Sequence, residues 1–207
     1  MGSKLVCQLS FGPTRKQDLI TDTYHRYFCG QYGYEFLKVP EPISTEHPYW
    51  QKVRFLKTLV ELGHTDIVWL DADAFWLGKY PLAPELNGKP LGVVKHVSVN
   101  AGVLYLKGTQ AKLLALLNDW LESPDDGHPS KDNRALNNLL DRGVHDYQLL
   151  PVRYNSQRTR SHCKPGEENT YTHYMPIVEA WHGVKTRHLR MREYIDDRYW
   201  GLSLIHI

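Results

Sequence analysis

A chain of 207 residues, 42% hydrophobic and 12% aromatic, is long enough for one well-buried α/β core and short for two. Its 25 basic and 23 acidic residues leave a net charge of +2 with no basic tract, which argues against nucleic acid or an anionic membrane as the main partner and leaves small anionic ligands open. No apolar run approaches the ~20 residues of a membrane span, and the apolar stretch after Lys4 is too short for a secretory signal.

These features predict a cytoplasmic protein. Cys7, Cys29 and Cys163 are odd in number, widely spaced and without a CxxC pair, so they suit core thiols better than a disulfide framework or a zinc knuckle. The last six residues, Leu202-Ser203-Leu204-Ile205-His206-Ile207, read as the in-frame translation of a transposase-based sequencing adaptor and are set aside. On that reading residues 1–201 form one domain cut short at its C-terminus.

In chain order, residues 5–9 form a short apolar run at the usual place of the first strand of a doubly wound sheet. Residues 10–13 turn the chain. Thr14 with Gln17 makes a capping-box signature for a helix that carries Ile20, Tyr24, Tyr27 and Phe28 and ends at Gly30 and Gly33. Residues 34–39 read as a second strand and 40–48 as a loop. Trp50, Val53, Leu56 and Val60 then form one helical stripe that stops at Gly63, with Lys52 and Arg54 on its solvated side.

A buried strand follows at residues 66–70, and a pair of carboxylates, Asp71 and Asp73, stands where it runs out. Beyond a loop punctuated by Pro81, Pro84, Gly88 and Pro90, residues 91–94 and 103–106 predict two more strands, the second preceded by Asn100-Ala101-Gly102. Residues 111–121 predict an amphipathic helix and 123–131 a polar loop. Asp132 caps or precedes a helix through Leu140, and 147–150 predict a short strand. The polar stretch 154–172 predicts a loop, and 178–181 a last strand with His182 at its exit. Alternating β and α units without repeats imply an α/β fold: one mostly parallel, Rossmann-like sheet flanked by helices.

On an extended backbone residues two apart face the same way, so Asp71 and Asp73 are expected to point together, ~6.5 Å apart by strand rise. At an effective dielectric near 20 their repulsion is roughly 2.5 kcal/mol, which calls for a cation or a proton between them. In such sheets ligands sit outside the carboxyl ends of the strands, where Asp71, Asp73 and His182 all fall. Two carboxylates and an imidazole suit Mn²⁺, or Mg²⁺, clamping a diphosphate. Lys185 is placed to hold the same phosphates as a point charge, and Lys52, Ser10 and Arg15 are further candidates for donor contacts.

These residues resemble a GT-A glycosyltransferase of the nucleotide-diphospho-sugar transferase type, similar to families of retaining galactosyl- and xylosyltransferases. The likeness spans roughly residues 5–185: Asp71-Ala72-Asp73 as the DxD motif, Trp50-Gln51-Lys52 on the helix before it, Asn100-Ala101-Gly102-Val103 as the NxG strand, and His182 as a late metal ligand. It implies a metal and diphosphate held by Asp71, Asp73 and His182, donor-sugar contacts from Asn100 and Ala101, and Asp132 as a sugar-binding or catalytic carboxylate. It also implies transfer of a hexosyl or pentosyl group from a UDP-sugar to a glycan or other hydroxyl acceptor, with retention. The chain departs from the pattern in having Asp132-Asn133 where Asp-Gln is common, and in its short spacing from His182 to Lys185.

Plainer roles stand beside these. Asn100 suits a turn, Asp132 an N-cap, His182 a structural histidine and Trp50 the core. Two other functions fit a strand followed by DxD. One is a haloacid-dehalogenase-like phosphatase using Asp71 and Asp73, although that motif usually sits on the first strand. The other is a nucleotide-sugar binder without turnover.

Overall fold

The computed structural model describes residues 4–10, 15–76, 82–157 and 178–180, with side chains left out at 15–21, 75, 156–157 and 178–180. The described chain runs β1 (Lys4–Leu9), α1 (Arg15–Tyr32), β2 (Tyr34–Val39), α2 (Pro48–Glu61), β3 (Asp66–Leu70), β4 (Ala74–Trp76), β5 (Leu91–Lys95), β6 (Val99–Lys107), α3 (Gln110–Glu122), α4 (Lys131–Asp141), β7 (Tyr147–Leu149), a 3₁₀ turn (Val152–Tyr154), β8 (Ser156–Gln157) and β9 (Val178–Ala180).

Six strands form one sheet in the order β2-β1-β3-β6-β5-β7. β1 pairs in parallel with β2 and β3, β5 in parallel with β7, and β6 runs antiparallel to both its neighbours, so five of the six strands point the same way. The expected α/β sheet is present, with β6 as its one reversed strand.

Alternation along the strands splits the core in two. Leu5, Cys7, Ile67, Trp69 and Leu104 face α2, α3 and α4, where they meet Leu56, Val60, Leu117, Trp120 and Leu136. Val6, Val68, Leu70, Val103 and Tyr105 face the other way and pack with Cys29 of α1, Trp76 and Leu82. Cys7 and Cys29 are buried free thiols, as expected; burial pushes Cys29 up to about 12, leaving it unreactive at neutral pH. Cys163 lies outside the described residues.

Three features of the sheet set up its functional end. Leu70 pairs with Val103, so the first residues of β6 run past the end of β3, and the Asp71 amide donates to the Gly102 carbonyl at 2.7 Å. Asn100-Ala101-Gly102 therefore lies inside β6, not before it. β4 was not expected; its three residues leave the main sheet and pair with β9 in a small second sheet, β4-β9-β8. Finally, α2 starts at Pro48, whose fixed φ and missing N–H suit a first helical turn.

Candidate active site

The end of β3 is shaped by one tight turn. The Ala74 amide donates to the Asp71 carbonyl at 2.8 Å, so Asp71-Ala72-Asp73 is a turn and not extended strand. The expected extended backbone over these three residues is corrected by this turn. The backbone of Asp71 is held from three sides: by Ala74, by the Gly102 carbonyl, and by Gln8 of β1, whose Nε2 donates to the Asp71 carbonyl at 2.9 Å.

Strand parity does place the Asp71 side chain. Trp69, two residues back, faces α2, and its indole Nε1 donates to Asp71 Oδ1 at 2.7 Å. The Lys52 ammonium lies 3.1 Å from the same oxygen. It also lies 2.6 Å from Asp132 Oδ2 and donates to the Ala101 carbonyl at 2.9 Å. Three acceptors match the three donors of an ammonium. The Trp69 ring, 5.7 Å away, adds a cation–π contact.

Lys52 is 5% exposed, so its expected place on the solvated side of the helix is corrected, whereas Arg54 does lie at the surface, paired with Glu46. Burial pulls the ammonium toward neutrality, but Asp132 and then Asp71 outweigh it and hold Lys52 above the ordinary lysine range. The lysine is charged, and it supplies part of the cation that the carboxylates call for. At an effective dielectric near 20, its attraction for Asp71 at 3.1 Å is roughly 5 kcal/mol before desolvation, about twice the repulsion expected between the two aspartates.

Asp132 sits in the first turn of α4 and is 3% exposed; Ser130 holds the cap position, so Asp132 is not the N-cap. Trp120 of α3 donates its Nε1 to the Asp132 carbonyl at 3.0 Å, so the residue is fixed by backbone and side chain together. Its neighbour Asn133 accepts the Ala101 amide on Oδ1 at 2.5 Å, and Asn137, one turn on, bonds both the amide and the carbonyl of Val99. Ala101 thus has its amide held by α4 and its carbonyl by α2. Asn100 Oδ1 accepts from the Gly102 amide at 2.9 Å and from Asn155 Nδ2 at 3.0 Å.

The structure therefore brings Lys52, Asp71, Asn100, Ala101 and Asp132 to one end of the sheet, with Asp73, 9% exposed, in the adjoining turn. Ser10, at the exit of β1, is buried, and its amide donates to the Val39 carbonyl at 3.1 Å. Arg15 opens α1, but its side chain is outside the description, as are His182 and Lys185. β9 runs antiparallel to β4, from Val178 opposite Trp76 to Ala180 opposite Ala74, the residue after Asp73.

Sequence reasoning missed Gln8, Trp69, Asn133 and Asn155. Two of them carried a signal: Gln8 is the one polar residue inside an apolar strand, and Trp69 shares strand parity with Asp71. Gln8 Oε1 and Asn155 Oδ1 are buried acceptors without a partner among the described residues.

As a metal site, the turn offers acceptor-only carboxylate oxygens, a donor set that fits Mg²⁺ or Mn²⁺. Among the described residues no group of three His, Cys, Asp or Glu is placed to hold a metal.

No family model and no curated protein matches the sequence. Solved structures match its fold. A glycosyltransferase involved in the glycosylation of the major capsid of PBCV-1 superposes with a TM-score of 0.66 at 14% identity, over 93% of this chain and 99% of the other. The apo form of the glycosyltransferase GlyE from Streptococcus pneumoniae TIGR4 gives 0.60 at 14% identity; the match covers 97% of this chain and 64% of GlyE. The galactosyltransferase LgtC, solved with donor and acceptor sugar analogues, gives 0.55 at 13% identity over 93% and 95% of the two chains. At such identities the shared property is the fold, the GT-A form of the mostly parallel α/β sheet.

Proposed function

We propose that this chain is a metal-dependent glycosyltransferase. It moves a hexosyl or pentosyl group from a nucleoside-diphosphate sugar, a UDP-sugar, to the hydroxyl of a glycan or other acceptor, with retention at the anomeric carbon. The observation that carries the reading is the Lys52 ammonium joining Asp71 of the DxD turn to Asp132, at the strand-exit end of a fold shared with glycosyltransferases. That LgtC was solved with donor and acceptor sugar analogues supports transfer over the phosphatase alternative.

Asp71, Asp73 and His182 are assigned to Mn²⁺ or Mg²⁺. The bound ion would neutralise charge gathering on the departing diphosphate. The register of β9, which leaves the small sheet in the direction of Asp73, supports His182 in this set. Lys185 is assigned to the phosphates, with Ser10 and Arg15 at the exit of β1 as secondary contacts. Lys52 has its three donors committed within the protein, which favours a role in holding Asp71 and Asp132 over direct phosphate binding.

Asn100, Ala101 and Asp132 are assigned to the donor sugar. Since Asn100 spends its carbonyl oxygen on Gly102 and Asn155, its Nδ2 is the group left for a sugar hydroxyl. Asp132 Oδ2 is engaged by the Lys52 ammonium at 2.6 Å, which suits Asp132 to orienting the sugar rather than attacking it. Retention then falls to attack on the same face as departure, with the diphosphate taking the acceptor's proton.

No helix of the described residues is long and apolar enough to cross a membrane, and a cytoplasmic location remains part of this proposal. A screen of nucleotide sugars with and without Mn²⁺ tests it. One donor is expected to raise the melting temperature and to release its nucleoside diphosphate only with metal; no binding and no release with any donor would contradict the reading.

A further inference from the structure

The outer face of α4 does not belong to the core. Ser130, Asn133, Arg134, Asn137 and Asp141 recur at helical spacing on one side, opposite the buried stripe of Asp132, Leu136 and Leu139. That outer side looks onto the turn between β5 and β6, and a cleft of about 380 Å³ lies between them, within the range of small-ligand sites. From Ser130 to Asp141 the helix supplies a wall ~16 Å long at 1.5 Å per residue.

The cleft is joined to the site by a shared residue. Asn133 lines it and also holds the Ala101 amide, while the Ala101 carbonyl holds Lys52. Asn133 and Asn137 spend their carbonyl oxygens on β6, which fastens strand to helix and fixes the cleft's floor. Its remaining walls are left for a ligand. Lys95 has no ion pair among the described residues, and Ser98 and Asp141 are exposed. Val97, at the lip, is 98% exposed.

This mixture decides the ligand class. An ammonium, a carboxylate, hydroxyls and the His128 imidazole offer donors and acceptors side by side, as vicinal hydroxyls require. One apolar residue is too little for a lipid chain or an aromatic aglycone. Lys95 is matched in charge by Asp141, and Arg134 is already paired with Asp126, so a strongly anionic ligand is not favoured.

We infer that this cleft is the acceptor subsite and that the acceptor is a neutral saccharide longer than one ring. Its units lie along α4, between the helix and the turn from β5 to β6, with Asn133 as the link to the carboxylate site. The inference rests on the proposed transfer activity. The test separates the two by measuring donor hydrolysis into water, which reports the carboxylate site, and transfer to a panel of neutral cello-, manno- and galacto-oligosaccharides, which reports the cleft.

Ser98→Trp, placing an indole in the cleft from an exposed turn, is expected to lower the ratio of transfer to hydrolysis at least tenfold. Asp141→Ala, at the far end, is expected to raise KM for the oligosaccharide several-fold at a similar KM for donor. An unchanged ratio and KM in both variants would overturn the inference. So would a wild-type protein that hydrolyses donor and transfers to none of the oligosaccharides. A wild-type protein that does not hydrolyse any donor would overturn the proposed activity, and the subsite with it.

Discussion

The ammonium of Lys52 and the carboxylate of Asp132 meet at 2.6 Å in the interior, joining the middle of α2 to the first turn of α4. Both side chains are almost wholly buried, so the pair's worth shows when one member is removed. Lys52→Met would leave Asp132 and Asp71 without their shared cation. A loss of about 3–5 kcal/mol is expected, the cost of stranding a buried charge, read by urea unfolding. Lys52→Arg, which keeps the charge, is expected to recover part of it. Equal stability of Lys52→Met and wild type would contradict the buried pairing.

Trp69→Phe keeps a ring against Phe55 and over Lys52 but removes the N–H that Asp71 Oδ1 accepts at 2.7 Å. A loss of about 1.5–3 kcal/mol is expected, the range for a hydrogen bond to a charged group. With Asp71 less firmly aimed, Mn²⁺ affinity measured by the EPR signal of the free ion is expected to fall. Unchanged affinity and stability would show that the indole bond does not position this carboxylate.

Asn133→Ala leaves the buried Ala101 amide without its acceptor. The expected cost is about 1–3 kcal/mol, with faster hydrogen exchange at Ala101 than at Leu104 in the middle of β6. Equal protection at both positions before and after the change would place the clamp elsewhere.

Much of this architecture was legible in the chain, and the parts that were not share a physical reason. β2 and β3 have the bounds expected because glycine and polar punctuation flank clear β-formers. β4 escaped because three residues show no periodicity, and β6 began four residues early because Asn100-Ala101-Gly102 carries turn-forming residues that pairing with β5 overrides. In the site, Asp71 and Asp73 stood out as charges at a strand exit. Lys52 stands out only as a secondary donor contact on a solvated helix side, because a lysine buries only when distant partners meet it, and Asp71 and Asp132 come from other parts of the chain. Asp132 looked like a cap because spacing cannot tell the cap position from the first turn.

Away from the site, His25 is wholly buried, with its Nε2 accepting the Trp76 amide at 3.2 Å. Burial, and then the nearby Lys38 charge, lowers it from 6.5 to about 3. The unfolded chain therefore binds a proton that the fold refuses between those values. Stability from this group is full above about pH 6.5 and is lost as pH falls toward 3, by up to ~1.4 kcal/mol per pH unit and a few kcal/mol in all. His25→Gln can accept the same amide without titrating, and is expected to flatten the pH dependence of unfolding over that window. An equal slope in variant and wild type would contradict the assignment.

The most direct measurement is release of nucleoside diphosphate from the best UDP-sugar, with Mn²⁺ added or chelated, by wild type and by Asp73→Ala. Turnover is expected to need the metal and to fall at least a hundredfold in the variant, about 3 kcal/mol of barrier, with a melting temperature close to that of wild type. An Asp73→Ala protein that turns over donor at the wild-type rate, or a wild-type rate indifferent to chelation, would contradict it.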